Sequence, residues 1–257
     1  IEQESYFQAL GSLSRDYNVV AVCGTSGKSS TTSMAARVLV DAGLDPTVVV
    51  GTKVPDLDGR NWRAGTSDLF LLEACEYRGS FHYLSPNIVL LSNVKHDHVD
   101  AYADAASYEQ SFIDFLKLLP DDGPVITHGG DQHCAQVIAR ADRQLIDADE
   151  QPLIDLQTPG MHMQQNAQLV LALADQLGID HDAAITSLGD YKGCWRRLEV
   201  KGEYLIPNTE YVIPVIDDYG HHPDEIQANL QALRAAYSDK RFVLVWQPHM
   251  HNRTLHF

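Results

Sequence analysis

The residues Gly24-Thr25-Ser26-Gly27-Lys28-Ser29 stand directly after the apolar run VVAVC at 19–23 and open a helix-forming segment. Glycines let the backbone curl until successive N–H groups face one anion, and the helix N-terminus adds positive potential. In such a loop a lysine, here Lys28, reaches the β- and γ-phosphates of a nucleotide, and a hydroxyl, here Ser29, ligates Mg²⁺. The usual phosphate loop has a further glycine where this chain has Val22. A glycine- and serine-rich turn with an ordinary helix cap therefore competes, but the strand before and the helix after favour the nucleotide.

Other residues could complete a phosphate-handling site. Glu73 ends the apolar run LFLLEA at 69–74, and a carboxylate at the C-terminal end of a parallel strand sits where open α/β sheets bind ligands. It reads either as a Mg²⁺ ligand or as an exposed strand-end acid. His96-x-His98 follows the run NIVLLSN at 87–93. Zinc would want Cys or a third His, Mg²⁺ usually prefers oxygen, and a solvated or capping pair is the plain alternative. Asp217-Asp218-Tyr219-Gly220-His221-His222-Pro223 combines acid, base and turn residues before a helix that starts at Pro223. Arg196-Arg197 could clamp phosphate or be a solvated pair. His249 and His251 offer a weaker zinc alternative.

The elements that must hold these residues read as alternating strands and helices. Strands are predicted over 19–23, 48–50, 69–74, 87–93 and 125–127, with helices over 28–42 and 107–119 and another ending near Arg140. That alternation implies a parallel sheet covered on both faces, an α/β class. Helices follow over 161–177 and 182–188, and GDYKGCWRR at 189–197 reads as a linker. A strand over 212–219, a helix over 223–237 and a strand over 242–246 restart the pattern. The expected organisation is a nucleotide-binding α/β domain over 1–190 and a partial, Rossmann-like α/β domain over 191–257. The 257 residues are 44% hydrophobic and 21% charged, a globular composition. A net charge of −16 argues against nucleic-acid or anionic-membrane partners. No apolar run reaches membrane-spanning length, the start is not signal-like, and four scattered cysteines fit a reduced, cytoplasmic protein.

Taken in order, the motifs resemble those of the Mur ligases, and within them the alanine-adding branch. GTSGKSSTT at 24–32 is similar to the family's GTxGK[ST]T loop, which accounts for the absent first glycine. EACEYRGSF at 73–81, SNVKHDHVDAY at 92–102 and PGMHMQQNA at 159–167 are similar to EADExDGSF, TNIxxDHLDxY and PGxHNxxNA. CWRRLEVKGE at 194–203, VIDDYGHHPDEI at 215–226 and WQPHMHNRT at 246–254 follow three further family strings. The resemblance implies ATP and Mg²⁺ as cofactors. Lys28 and the loop from Gly24, Thr25, Ser26 and Gly27 through Ser29 and Ser30 would bind the phosphates. Ser29 and Glu73 would hold metal, and His98 a second Mg²⁺. His162 and Asn166 would flank adenine and ribose, Arg197 would reach the phosphates, and His221 and His222 would lie near the incoming amino acid. The implied reaction joins L-alanine to the lactyl carboxylate of UDP-N-acetylmuramate through an acyl phosphate.

Cys75 and Arg78 stand where the family has Asp, and Met163 where it has Asn; the stretch 108–112 lacks the lysine that several sister ligases carbamylate. A ligase adding another amino acid or a recycled tripeptide, a folylpolyglutamate synthase, and a nucleotide-binding module without catalysis are the alternatives; DDYGHHP argues against the folate enzyme. The resemblance also leads us to expect that this chain lacks a sugar-nucleotide domain and is inactive alone. Lys28 is expected to face solvent, so that its removal would spare the fold.

Overall fold

The computed structural model describes residues 3–248 and Thr254. Helix α1 spans Tyr6–Ser14, opened by a capping box between Ser5 and Gln8. Strand β1 (Asn18–Cys23) leads through the glycine loop into α2 (Lys28–Asp41). The strands β2 (Thr47–Val54), β3 (Arg60–Arg63), β4 (Leu69–Glu73) and β5 (Ile88–Leu91) follow. Then come α3 (Ala105–Leu116), β6 (Val125–Thr127), α4 (Gln132–Ala141), β7 (Leu145–Asp147), α5 (Met161–Gln176) and α6 (His181–Gly189).

These strands form one seven-stranded sheet in the order β3-β2-β4-β1-β5-β6-β7. All neighbours are parallel except β2 and β3, which pair antiparallel across a short connection. Alternation along the strands builds a core on each face. Val20, Val22, Leu71 and Leu90 face α2 and α5, whereas Val19, Ala21, Phe70, Leu72, Val89 and Leu91 face α3 and α4. Chain order places strands first on the β4–β2 side of β1 and then on its β5 side. The reversal falls at β1, so the loops after β1 and β5 open beside a crevice at the strands' C-terminal ends, where such sheets take ligands.

The helix starts separate structure from site. Helices α1, α3, α4 and α6 are capped by the side chains of Ser5, Asp104, Asp131 and Asp180. Helices α2 and α5 begin instead at Gly27 and Gly160, with no side-chain cap. Their first N–H groups are left available to a ligand. Asp104 accepts from Ser107 N at 2.8 Å and lines neither cavity of the chain's described residues. Asp104→Ala should cost about 1 kcal/mol of unfolding free energy in urea titration without altering ligand binding.

After α6, residues 190–198 form no helix or strand. The second unit departs from expectation. Strand β8 (Glu199–Leu205) and β9 (Val212–Asp217) make a two-stranded antiparallel sheet, and α7 (Pro223–Ala236) follows. The connection over 206–211, with Asn208 at φ 63°, is far too short for a parallel crossover, so the chain doubles back as a hairpin. The strand expected over 242–246 does not form: this segment pairs with no other strand, and Val243 and Val245 are 78% and 91% exposed. Among the described residues no helix is long and apolar enough to cross a membrane.

Candidate functional site

The loop after β1 is shaped by contacts that only glycine permits. Gly24 has φ 131°, and a Cβ there would lie 2.1 Å from Ser92 Oγ. Gly27 has φ 87°, and its Cβ would meet Asn166 Oδ1 at 2.7 Å. The loop after β5 fixes it from the other side. Thr25 N donates to Asn93 O at 3.0 Å and Ser26 N to Asn93 Oδ1 at 3.1 Å. The Thr25 hydroxyl donates to Lys95 O at 2.8 Å and lies 2.9 Å from the Tyr108 hydroxyl.

Lys28 does not face solvent, contrary to the sequence expectation. Its Nζ donates to Gly24 O at 2.6 Å and Thr25 O at 3.0 Å, and pairs with Glu76 at 2.9 Å. The Lys28 side chain is 14% exposed and that of Glu76 1%. Burial acts to lower the ammonium's pKa, but Glu76, and then Glu73, outweigh it and hold it raised. Burial likewise opposes ionisation of Glu76, and Lys28 and the hydrogen bond with His98 outweigh it, leaving the carboxyl below its usual range. His98 Nε2 lies 3.1 Å from Glu76 Oε1, and its ring packs on Tyr77. His96 diverges, its ring lying 6.0 Å from that of Tyr108. The sequence reading gave Glu76 no role, although it lies in the EACE string at 73–76, where it matches the second Glu of EADE.

Glu73 takes a different place. It accepts from Ser29 Oγ at 3.1 Å and from Gly51 N at 2.7 Å. The adjacent hydroxyl and carboxylate are an oxygen pair of the kind a hard divalent cation takes, with Glu76 a further carboxylate near the loop. No group of three or more His, Cys, Asp or Glu among the described residues is arranged to hold a metal. A cation at Ser29 and Glu73 would therefore complete its shell with nucleotide and water oxygens, as Mg²⁺ does. His249 and His251 lie outside the described residues.

On the other side of the loop is a cavity of about 570 Å³. Ser26, Gly27 and Ser30 line it from the loop, His162 and Asn166 from α5, and Arg197 from the linker. Burial lowers the His162 pKa against the pull of Asp218 and Glu225, so the ring is neutral at neutral pH. Met163 lines the cavity only in part, being 3% exposed and packed into the core. His128 and Asp149, 2.7 Å apart, also line it and were not read from the sequence. His221 and His222 do not line this cavity. His221 borders a second cleft, of about 1020 Å³, beside α7. His222 is 7% exposed and caps α7 through Nδ1, which accepts from Asp224 N at 3.2 Å.

Residues 22–152 match the Mur ligase middle domain, and residues 196–256 the domain described as Mur ligase, glutamate ligase domain. The chain is 38% identical over 277 residues to a UDP-N-acetylmuramate–L-alanine ligase of Arthrobacter sp., covering 97% of this chain and 58% of the relative. It is 34% identical to one of Dechloromonas aromatica, covering 96% and 60%. The chain thus spans about three fifths of these relatives' length. The crystal structure of the UDP-N-acetylmuramate-alanine ligase MurC of Thermotoga maritima superposes with a TM-score of 0.76 at 27% identity, covering 95% of this chain and 60% of that one. A murein peptide ligase of Psychrobacter arcticus, 21% identical with a TM-score of 0.73 over 98% and 63% of the two chains, shares the fold.

Proposed function

This chain belongs to the Mur ligase family, and on that premise we propose that it carries the nucleotide site of an ATP-dependent ligase joining L-alanine to the lactyl carboxylate of UDP-N-acetylmuramate. In this reading residues 1–190 are the ATP-binding domain and 191–257 part of the ligase domain, a division that the two separate family matches support. The carrying observation is the uncapped start of α2 at Gly27, flanked by Lys28 and by the Ser29–Glu73 pair. The named relatives support the choice of sugar nucleotide and of L-alanine.

The residues' parts follow from their places. The first-turn N–H groups of α2 and the Lys28 ammonium hold the phosphates; Arg197 approaches from the linker; neutral His162 and Asn166 flank the base and ribose. Mg²⁺, held by Ser29 and Glu73 with a second ion at His98, would neutralise charge on the phosphates when bound. The lactyl carboxylate is already an anion and needs no general base. It attacks the γ-phosphorus, ADP leaves, and the L-alanine amine attacks the resulting acyl phosphate to release phosphate. Alignment and charge neutralisation therefore dominate the work of the site. His221 and His222, on the second unit, would meet the amino acid.

The test is ADP formation by the protein as its gene encodes it, with UDP-N-acetylmuramate and each amino acid in turn. L-Alanine should give the largest kcat/KM, and Cys75, Arg78 and Met163 should not prevent turnover. ADP formation that is independent of the sugar nucleotide, or greatest with another amino acid or a peptide, would overturn the assignment.

A further inference from the structure

Helix α3 carries a buried hydroxyl to which the proposed reaction gives no part. Tyr108 is fully buried, and the rings of Tyr102 and Phe112 meet its ring edge-on, each with its centroid 5.1 Å away. Its hydroxyl lies 2.9 Å from Thr25 Oγ1 and 3.5 Å from Glu76 Oε1. The direction of the shorter bond follows from counting protons. The Thr25 hydroxyl has one hydrogen, which it gives to Lys95 O at 2.8 Å, and it accepts from Lys95 N at 2.9 Å. Its remaining lone pair can only accept, so Tyr108 donates. Burial, followed by Glu76, raises the Tyr108 pKa and keeps the phenol protonated.

These contacts close a ring. Tyr108 holds the Thr25 side chain, and Thr25 O accepts from Lys28 Nζ at 3.0 Å. Lys28 pairs with Glu76 at 2.9 Å, and Glu76 Oε1 leads back to Tyr108. The Lys28 ammonium is thus set between a carbonyl of the loop after β1 and a carboxylate of the segment after β4. Tyr108 reaches both residues from the core, on a ring that packing keeps from turning. We infer that Tyr108 is a positioning residue for the phosphate loop. Its hydroxyl fixes Thr25 against Glu76, and through them the place of the Lys28 ammonium at the phosphates, while touching no phosphate itself. The inference rests on the nucleotide reading of the loop.

Tyr108→Phe removes the hydroxyl and keeps the ring. Calorimetric titration of the chain with Mg–AMP-PNP should show binding about five- to tenfold weaker than in the wild type, the effect of one hydrogen bond. Thr25→Ala removes the same bond from the loop side and should weaken binding at least as much. Thr25→Ser keeps the hydroxyl and should bind within about twofold of the wild type. Phe115→Leu controls for stability alone. Phe115 lies in the same core, stacked on Phe81 with centroids 4.4 Å apart. That substitution should lower the urea midpoint and leave the affinity within about twofold. Unchanged affinity in Tyr108→Phe, an equal loss in Phe115→Leu, or equal affinities in Thr25→Ala and Thr25→Ser would overturn the positioning role. Absence of binding to the wild type would instead remove the nucleotide reading, and the inference with it.

Discussion

Lys28→Ala is expected to abolish nucleotide binding and also to destabilise the fold by about 3–5 kcal/mol, the cost of leaving a buried charge without its partner. The two losses have separate causes. Binding fails because the loop's own ammonium is gone. Stability falls because Glu76, only 1% exposed, loses its ammonium partner and keeps only the His98 ring beside it. A substitution at both positions, Lys28→Ala with Glu76→Gln, should recover most of the stability and none of the binding. Urea titration measures the first effect and calorimetry the second. The pH dependence carries the same signature. The Glu76 carboxyl is depressed in the fold, so its contribution is present above the unfolded carboxylate value of about 4.3 and is lost as pH falls through its folded value. The Lys28 ammonium is raised, so its contribution is present below the unfolded value of about 10.4 and is lost as pH rises through its folded value. The wild type should therefore have a stability plateau between these limits, and the double variant a shallower one.

Gly24→Ala should be the most damaging single methyl addition in the loop. The new Cβ would lie 2.1 Å from Ser92 Oγ and 2.9 Å from Asn93 O, and the backbone has φ 131°. Side-chain rotation can relieve the first contact but not the second, and the backbone angle is strained for any residue with a Cβ. Overpacking and strain together predict a loss of about 3 kcal/mol or more. Adding Ser92→Gly should restore only part of it, because Asn93 O belongs to the main chain. Full recovery in the double variant would show that the loop can move away from β5, and would remove the reason for a glycine at position 24.

The strands that hold the site were legible because they are buried on both faces. β1, β4 and β5 are short apolar runs, and a parallel sheet covered by helices requires such runs. The loop and Glu73 were legible for a related reason: both sit at strand ends, where residue type changes abruptly from apolar to polar. What lay outside those runs was harder to read. Strand β3, Arg-Asn-Trp-Arg, is a largely exposed edge with no apolar run, and β7, Leu-Ile-Asp, offers only two apolar residues before the acidic stretch 147–150. Strand β8 is exposed along most of its length and gives no clear alternation. The segment over 242–246 has strand-like composition, but composition does not supply a pairing partner. Glu76 and the His128–Asp149 pair come from irregular segments and converge through tertiary structure, which no spacing along the chain reveals.

The proposed function stands on the loop from Gly24 to Ser30 binding the phosphates of a nucleotide. Titration of the chain with Mg–AMP-PNP, followed by calorimetry, tests it most directly when run beside the folded double variant Lys28→Ala/Glu76→Gln. A single saturable site in the wild type and no measurable binding in the variant are expected. Equal affinity in both proteins would overturn the assignment and place the nucleotide away from the loop.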